Sequence, residues 1–369
     1  MDPRQMTTLA VVADQTSDKA ADRAVKRARV LAVLAEAGRD SVLLTSQTAL
    51  SWYLDGSRVG ISLAGDPIAA VLVTGSGDHL ATFNNEAARL SAEEIPGGVT
   101  VHEVPWHGSL TDVAAWHGPG ALPALEAELA VPLRLARRSL LPGELGRYEQ
   151  LCRDAAIVLT DVLSFATPHT TERGIAAAVA ERIVGLGADP LVLLASGASR
   201  ADFRHPLPTA AALGRRAMAV VCARRDGMIA NVTRWVRFDG GTPAELDAEA
   251  RIADVEADIF DATVPGAAVC DILAEIRTAY DRHGFGPEQW TLHHQGGPAG
   301  YAGRDPRATD AVTDTTTLNQ PFTWNPSGPG VKIEDTVLLD SDGIRPLSLD
   351  SRWPSELVNG IPRPVTLQL

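Results

Sequence analysis

The chain is poor in cysteine: Cys152, Cys222 and Cys270 lie far apart, with no CxxC spacing among them. That argues against a disulfide framework or a structural zinc site and leaves reduced thiols as the expectation. Cys222 falls in an apolar strand-like run and the other two on helix-like segments, so none is expected to act as a nucleophile. Lysine is scarcer than arginine, occurring only at Lys19, Lys26 and Lys332. With the abundant alanine, this reads as the coding bias of a GC-rich genome. Positive charge is short overall, 33 basic residues against 46 acidic for a net charge of −13. No basic footprint for a phosphate backbone follows, and no nucleic-acid partner is expected. No apolar run approaches the roughly 20 residues that span a bilayer, so no membrane partner is expected either. In residues 1–30, Asp14, Asp18, Lys19 and Asp22 interrupt any signal-peptide core, and the expected location is cytoplasmic.

What is present fits an ordinary globular protein, and 369 residues suffice for two domains. Residues 20–37 carry an apolar stripe at helical spacing and stop at Gly38. Ser41–Thr45 and Ala69–Thr74 are short apolar runs bounded by turn residues, hence buried strands. The first part therefore reads as a small α/β domain. Further helices are expected over 142–165, from Thr170 to about Gly185, over 243–261 and over 267–282. Thr242-Pro243-Ala244-Glu245 is a strong helix start, since threonine and glutamate can each bond the other's backbone amide. Strands are expected at Leu191–Ser196, Ala217–Ala223, Met228–Phe238, Phe322–Asn325 and Ile333–Leu339. Helices among antiparallel strands make the second part α+β. The boundary is placed near Arg137-Arg138, giving domains at 1–137 and 138–369.

Five segments in order resemble one known superfamily. They are Leu133 to Glu144, Ala195 to His205, Gly227-Met-Ile-Ala-Asn231-Val-Thr-Arg234, His293-His294-Gln295-Gly296-Gly297-Pro298-Ala299-Gly300, and Gly330 to Leu339. Together they are similar to the pita-bread proteins: creatinase, aminopeptidase P, prolidase and methionine aminopeptidase. The first part, with Trp52-Tyr53-Leu54-Asp55-Gly56, resembles the creatinase-type N-terminal domain. The resemblance implies an α+β pita-bread domain behind a smaller α/β domain, a homodimer, and two metal ions on five ligands. Carried over residue by residue, those ligand positions fall on Val220, Asn231, Gly297, Asn325 and Glu334. Only Glu334 is a strong ligand. Valine and glycine donate nothing and asparagine offers a neutral oxygen, so no metal or other cofactor is expected.

The resemblance places His205 where the family has a substrate-side histidine, and creatinase uses such a residue without metal. A histidine titrates near neutrality and suits acid and base work. Glu334 is expected to orient a substrate N–H or to stabilise protonated His205. Asn231 and Asn325 can donate and accept toward an amide, urea or guanidinium-like ligand. In His293-His294-Gln295-Gly296-Gly297, glycines let backbone approach a ligand, and of two adjacent strand histidines at most one should face it. Tyr301 closes that segment as a further contact candidate. Arg304 stands where relatives have histidine, suggesting a guanidinium fork on a substrate carboxylate, with an exposed Arg304–Asp305 pair as the competing reading. Arg58 follows the family's N-terminal segment, which reaches a partner's active site in creatinase-like dimers. His79, His102, His107, His117, His169 and His283 are scattered along the chain and are assigned no chemistry.

Three readings follow. The first is a metal-independent, creatinase-like hydrolase or lyase of a C–N bond in a small polar substrate, with His205 and Glu334 catalytic. The second is a binding module without turnover, and the third an unconventional Xaa-Pro aminopeptidase or prolidase-like metallopeptidase.

Overall fold

The computed structural model describes residues 16–120 and 122–369. Residues 1–15, including Asp14 of the signal-peptide argument, lie outside that range.

The helix Thr16–Glu36 is followed by a five-stranded mixed sheet. Its order is Val99–Val104, Asp78–Phe83, Ala69–Thr74, Ser41–Leu44 and Ala124–Leu125. Period-two alternation sends Val42, Leu44, Val71, Val73 and Leu80 into the main core. Leu43, Ala70 and Leu72 point the other way, toward Leu110, Val113 and Trp116 beside the short helix Val113–His117.

The second half is the α+β part. Helices Pro142–Leu163 and Glu172–Gly185 cover one face of the sheet made by Asp189–Gly197, Arg216–Arg225, Met228–Arg237 and Leu367–Gln368. Ala217, Ala219, Val221 and Ala223 meet those helices, and their small size lets the helices lie close. Helices Pro243–Ala262 and Val269–Arg282 pack on a second sheet through Ile252, Ile259, Ile276, Phe322 and Trp324. Thr242 and Glu245 form the expected reciprocal cap.

Two expectations change. The strand placed at Ile333–Leu339 is broken, with strand only at Val331–Lys332 and Val337–Asp340. Between them Ile333 N donates to Pro326 O and Thr336 N to Ser348 Oγ, while Glu334 O accepts from Thr233 N. These bonds replace the ladder and press Glu334 against the Met228–Arg237 strand. Tyr301, expected at the site, lies instead in a buried charged network. Its hydroxyl donates to Glu144 Oε1 at 2.7 Å and accepts from Lys26 Nζ at 3.3 Å. Lys26 also pairs with Asp55 and Glu144, and Arg147 with Asp55, tying the first helix to the Pro142–Leu163 helix. Phenol and ammonium settle there because each buried charge needs a partner. Among the described residues, no helix is long and apolar enough to cross a membrane.

Candidate active site

The Arg216–Arg225 and Met228–Arg237 strands pair Val220 with Thr233 and Cys222 with Asn231. Paired residues share a face, so these four side chains look away from the helices and form one wall of the site. Asn231 Nδ2 reaches Thr323 Oγ1 at 3.4 Å on the strand Gln320–Trp324. Asn325, just past that strand, is buried with Oδ1 lacking a partner among the described residues. Asn231 and Asn325 thus place neutral amide groups on this wall.

Glu334 is buried and fully engaged. Arg304 Nη2 donates to its Oε1 at 2.7 Å, while Lys332 Nζ at 2.8 Å and Thr233 Oγ1 at 2.9 Å hold Oε2. Burial alone would raise its pKa; the charges and hydrogen bonds of Lys332 and Arg304 outweigh it and hold the carboxyl well below the usual range. Neither reading of Arg304 survives. Its Nη1 donates to Gly303 O and its Nη2 to Glu334, so the paired Nη edge is turned onto protein acceptors, while the buried Nε has no partner among the described residues. It is nearly buried, and Asp305 pairs instead with Arg137 at 2.6 and 2.8 Å.

His205 sits in an exposed loop that Arg204 Nη1 anchors to Gly328 O at 2.6 Å. Its Nε2 is 3.3 Å from His293 Nε2, and His293 Nδ1 is 3.2 Å from Ser327 Oγ. His294 joins them, so one ring nitrogen from each lies within 4.8 Å of the others. The expectation that only one of His293 and His294 could face the site is wrong. His293 follows the turn Gln289–Leu292 and the strand begins only at Gly296, so strand alternation does not govern the pair. Burial, then Lys332, lowers the His205 pKa and pushes His293 down to about 2. Burial, then Arg304 and Arg307, lowers His294 to about 4. All three rings are neutral near pH 7.

Arg58 is not brought to this cluster. Its side chain is 73% exposed and pairs with Glu94, on a cleft of about 1170 Å³ that also includes Lys19 and Asp226. Sequence reasoning missed Lys332, Cys222, Ser327 and Arg307. Lys332 had a readable signal: it is one of three lysines and stands two residues before Glu334. Reading lysine scarcity as coding bias hid that two of the three, Lys26 and Lys332, are buried against carboxylates. Cys222 faces the site, but burial raises its thiol to about 12 and keeps it protonated.

Residues 146–341, more than half of the chain, match the model of metallopeptidase family M24. The chain belongs to that family. Its relatives are peptidase-like hydrolases with the pita-bread fold, which is the resemblance read from the five segments. No curated protein matches the chain by sequence. Among solved structures it is similar to the prolidase of Pyrococcus horikoshii OT3, with 17% identity over 88% of this chain and 98% of that one, TM-score 0.71. Dipeptidase PepE of Mycobacterium ulcerans shares 20% identity over 91% and 97%, TM-score 0.71. The N-terminal domain of the FACT complex subunit SPT16 of Cicer arietinum shares 12% over 89% and 97%, TM-score 0.64. At these identities the likeness is one of fold.

The M24 chain does not fit a two-metal centre. Val220 is buried among Leu194, Met218 and Trp235. A Cβ on Gly297 would stand 2.8 Å from Pro306 O and 3.0 Å from Ala308 N, so backbone fills the place of a ligand side chain. Glu334 is already paired with two cations, Arg304 and Lys332. The cluster of His205, His293 and His294 has imidazole spacing for a single ion, yet Lys332 and Arg307 act on it with positive charge, which opposes a dication. A second trio, His79, His102 and His117, converges in the N-terminal sheet, where these residues were read as scattered.

Proposed function

We propose that this M24 chain is a metal-independent, creatinase-like hydrolase or lyase that cleaves a C–N bond of a small polar substrate bearing an anionic group. What carries the reading is the double clasp of Lys332 and Arg304 on Glu334. Fixed cations take the one strong metal ligand that remains and leave positive charge beside three neutral imidazoles. Lys332 spends one of its three N–H donors on Glu334, so the others are free for a substrate oxygen or carboxylate. The anion-binding role expected of Arg304 thereby passes to Lys332, and Arg304 becomes the residue that positions Glu334.

In the hydrolytic form, His205 takes a proton from water at the ring nitrogen turned away from His293. The water oxygen bonds to the electrophilic carbon, the C–N bond breaks, and His205 returns the proton to the leaving nitrogen. The transient imidazolium donates from Nε2 to His293 Nε2, whose Nδ1–H is held by Ser327 Oγ. His293, with its pKa near 2, accepts this bond without taking the proton. Asn231 and Asn325 would hold neutral amide groups, and His294 would line the substrate.

The test is turnover of amides, ureas, guanidino acids and Xaa-Pro dipeptides after chelation. Undiminished turnover that His205→Ala removes while leaving binding intact is expected. Activity that requires about two equivalents of manganese, cobalt or zinc in a His102→Gln background would sink this mechanism in favour of the metallopeptidase reading. Binding without turnover would favour a non-catalytic module, a reading that the full engagement of Glu334 supports. We also propose a cytoplasmic homodimer, in which the exposed Arg58 would approach the partner's site; sedimentation checks the dimer.

A further inference from the structure

The histidines of the N-terminal sheet form a cluster remote from the proposed catalysis. His79 and His102 lie on adjacent parallel strands in which Ala81, not His79, stands opposite His102. Because 79 and 81 point the same way, both imidazoles project from one face, offset by two residues. It is the face of Leu72, opposite His79 across the neighbouring strand, and so the face that Val113 and Trp116 cover. The helix Val113–His117 ends over this surface, with Gly118 at φ +104 turning the chain away directly after His117. One nitrogen from each of the three rings falls within 4.8 Å of the others. His79 Nδ1 and His102 Nε2 are 3.1 Å apart. Two nitrogens bound at about 2.05 Å to one tetrahedral zinc would stand roughly 3.3 Å apart, so this pair needs little movement to share an ion.

We propose that His79, His102 and His117 form a binding site for one divalent transition-metal ion of the zinc class, with the fourth position open to solvent. Imidazoles from three separate elements match the preference of such ions for nitrogen donors. The surroundings do not oppose a cation: among the described residues no lysine or arginine acts on His79 or His102, and Asp78, which acts on His79, is itself paired with Arg23 and Arg27 at 3.0 and 3.1 Å. Trp116 packs beside the His102 ring, the ring centroids 5.2 Å apart, which limits how that imidazole can turn. A bound ion would pin the helix Val113–His117 to the edge of the sheet.

The experiment is calorimetric titration of the full-length, tag-free protein with ZnCl2, alongside thermal unfolding with and without zinc. One zinc per chain is expected, with a Tm that rises with zinc concentration, because an ion bound only by the folded state stabilises it. His117→Gln, at an exposed position, should unfold like the parent without zinc, lose the zinc-dependent rise, and bind at least about a hundredfold more weakly. His102→Gln should behave alike, whereas His205→Gln/His294→Gln should keep full binding. Absence of saturable binding in the parent overturns the proposal. So does binding that survives in both His117→Gln and His102→Gln, or that disappears in the His205→Gln/His294→Gln protein.

Discussion

The described residues hold two histidine trios of similar spacing whose neighbours differ in charge. Around His205, His293 and His294 stand Lys332, Arg304 and Arg307 against the single carboxylate of Glu334. Among the described residues no lysine or arginine acts on His79 or His102, and the carboxylate that acts on His79, Asp78, is itself held by Arg23 and Arg27. Imidazole spacing alone therefore does not decide whether a cluster takes a metal. Nearby cations raise the cost of adding a dication while lowering the cost of an anionic substrate, and that balance separates the two sites.

The largest effect expected on the first trio is kinetic. His205→Ala should lower turnover by roughly two to four orders of magnitude, the range ascribed to a positioned acid–base group, with substrate affinity little changed. An equal fall on His79→Ala would break the contrast between the trios.

Lys332→Met should come next. It removes one of the two cations on a buried carboxylate that Arg304 still holds and should cost about 1.5–3 kcal/mol in urea unfolding, while Lys332→Met/Glu334→Gln, which leaves Arg304 buried without its carboxylate, should cost more. The single variant should also raise the pKa of His293 and, if it folds, let the first trio take up zinc. A variant that folds yet takes none would show that the cations are not what excludes the ion.

Acid should then weaken the fold through the same rings. Unfolded histidine titrates near 6.5, while folded His294 sits at about 4 and His293 at about 2. Between those values the unfolded chain holds more protons, so stability is fullest above about pH 6.5 and is lost as pH falls toward the folded values. His293→Gln/His294→Gln should flatten the fall in Tm between pH 7 and 4. The smallest effect belongs to the second trio: His117→Gln without zinc should stay within about 0.5 kcal/mol of the parent by urea unfolding.

Much of the fold was legible because periodicity and caps are local. Thr242 and Glu245 announced their helix, and the apolar stripe of residues 20–37 another. Family order along the chain was legible too, and it found Asn231, Asn325 and Glu334 on or beside the site. Tyr301 was misplaced because the distinction between a ligand contact and a partner for Glu144 and Lys26 depends on a helix more than 100 residues away in sequence. His293 and His294 were misjudged because alternation was applied to a segment that is not a strand. His79, His102 and His117 passed as scattered because only the parallel register and the overlying helix bring them together.

The amino-acid sequence by itself determined that Val220, Asn231, Gly297 and Asn325 bring no carboxylate or imidazole to wherever the fold puts them, since no fold gives those side chains such donors. Only the tertiary structure decided which charges surround Glu334. Coulomb energy depends on distances between atoms, and the chain must close before Lys332 and Arg304 meet on Glu334.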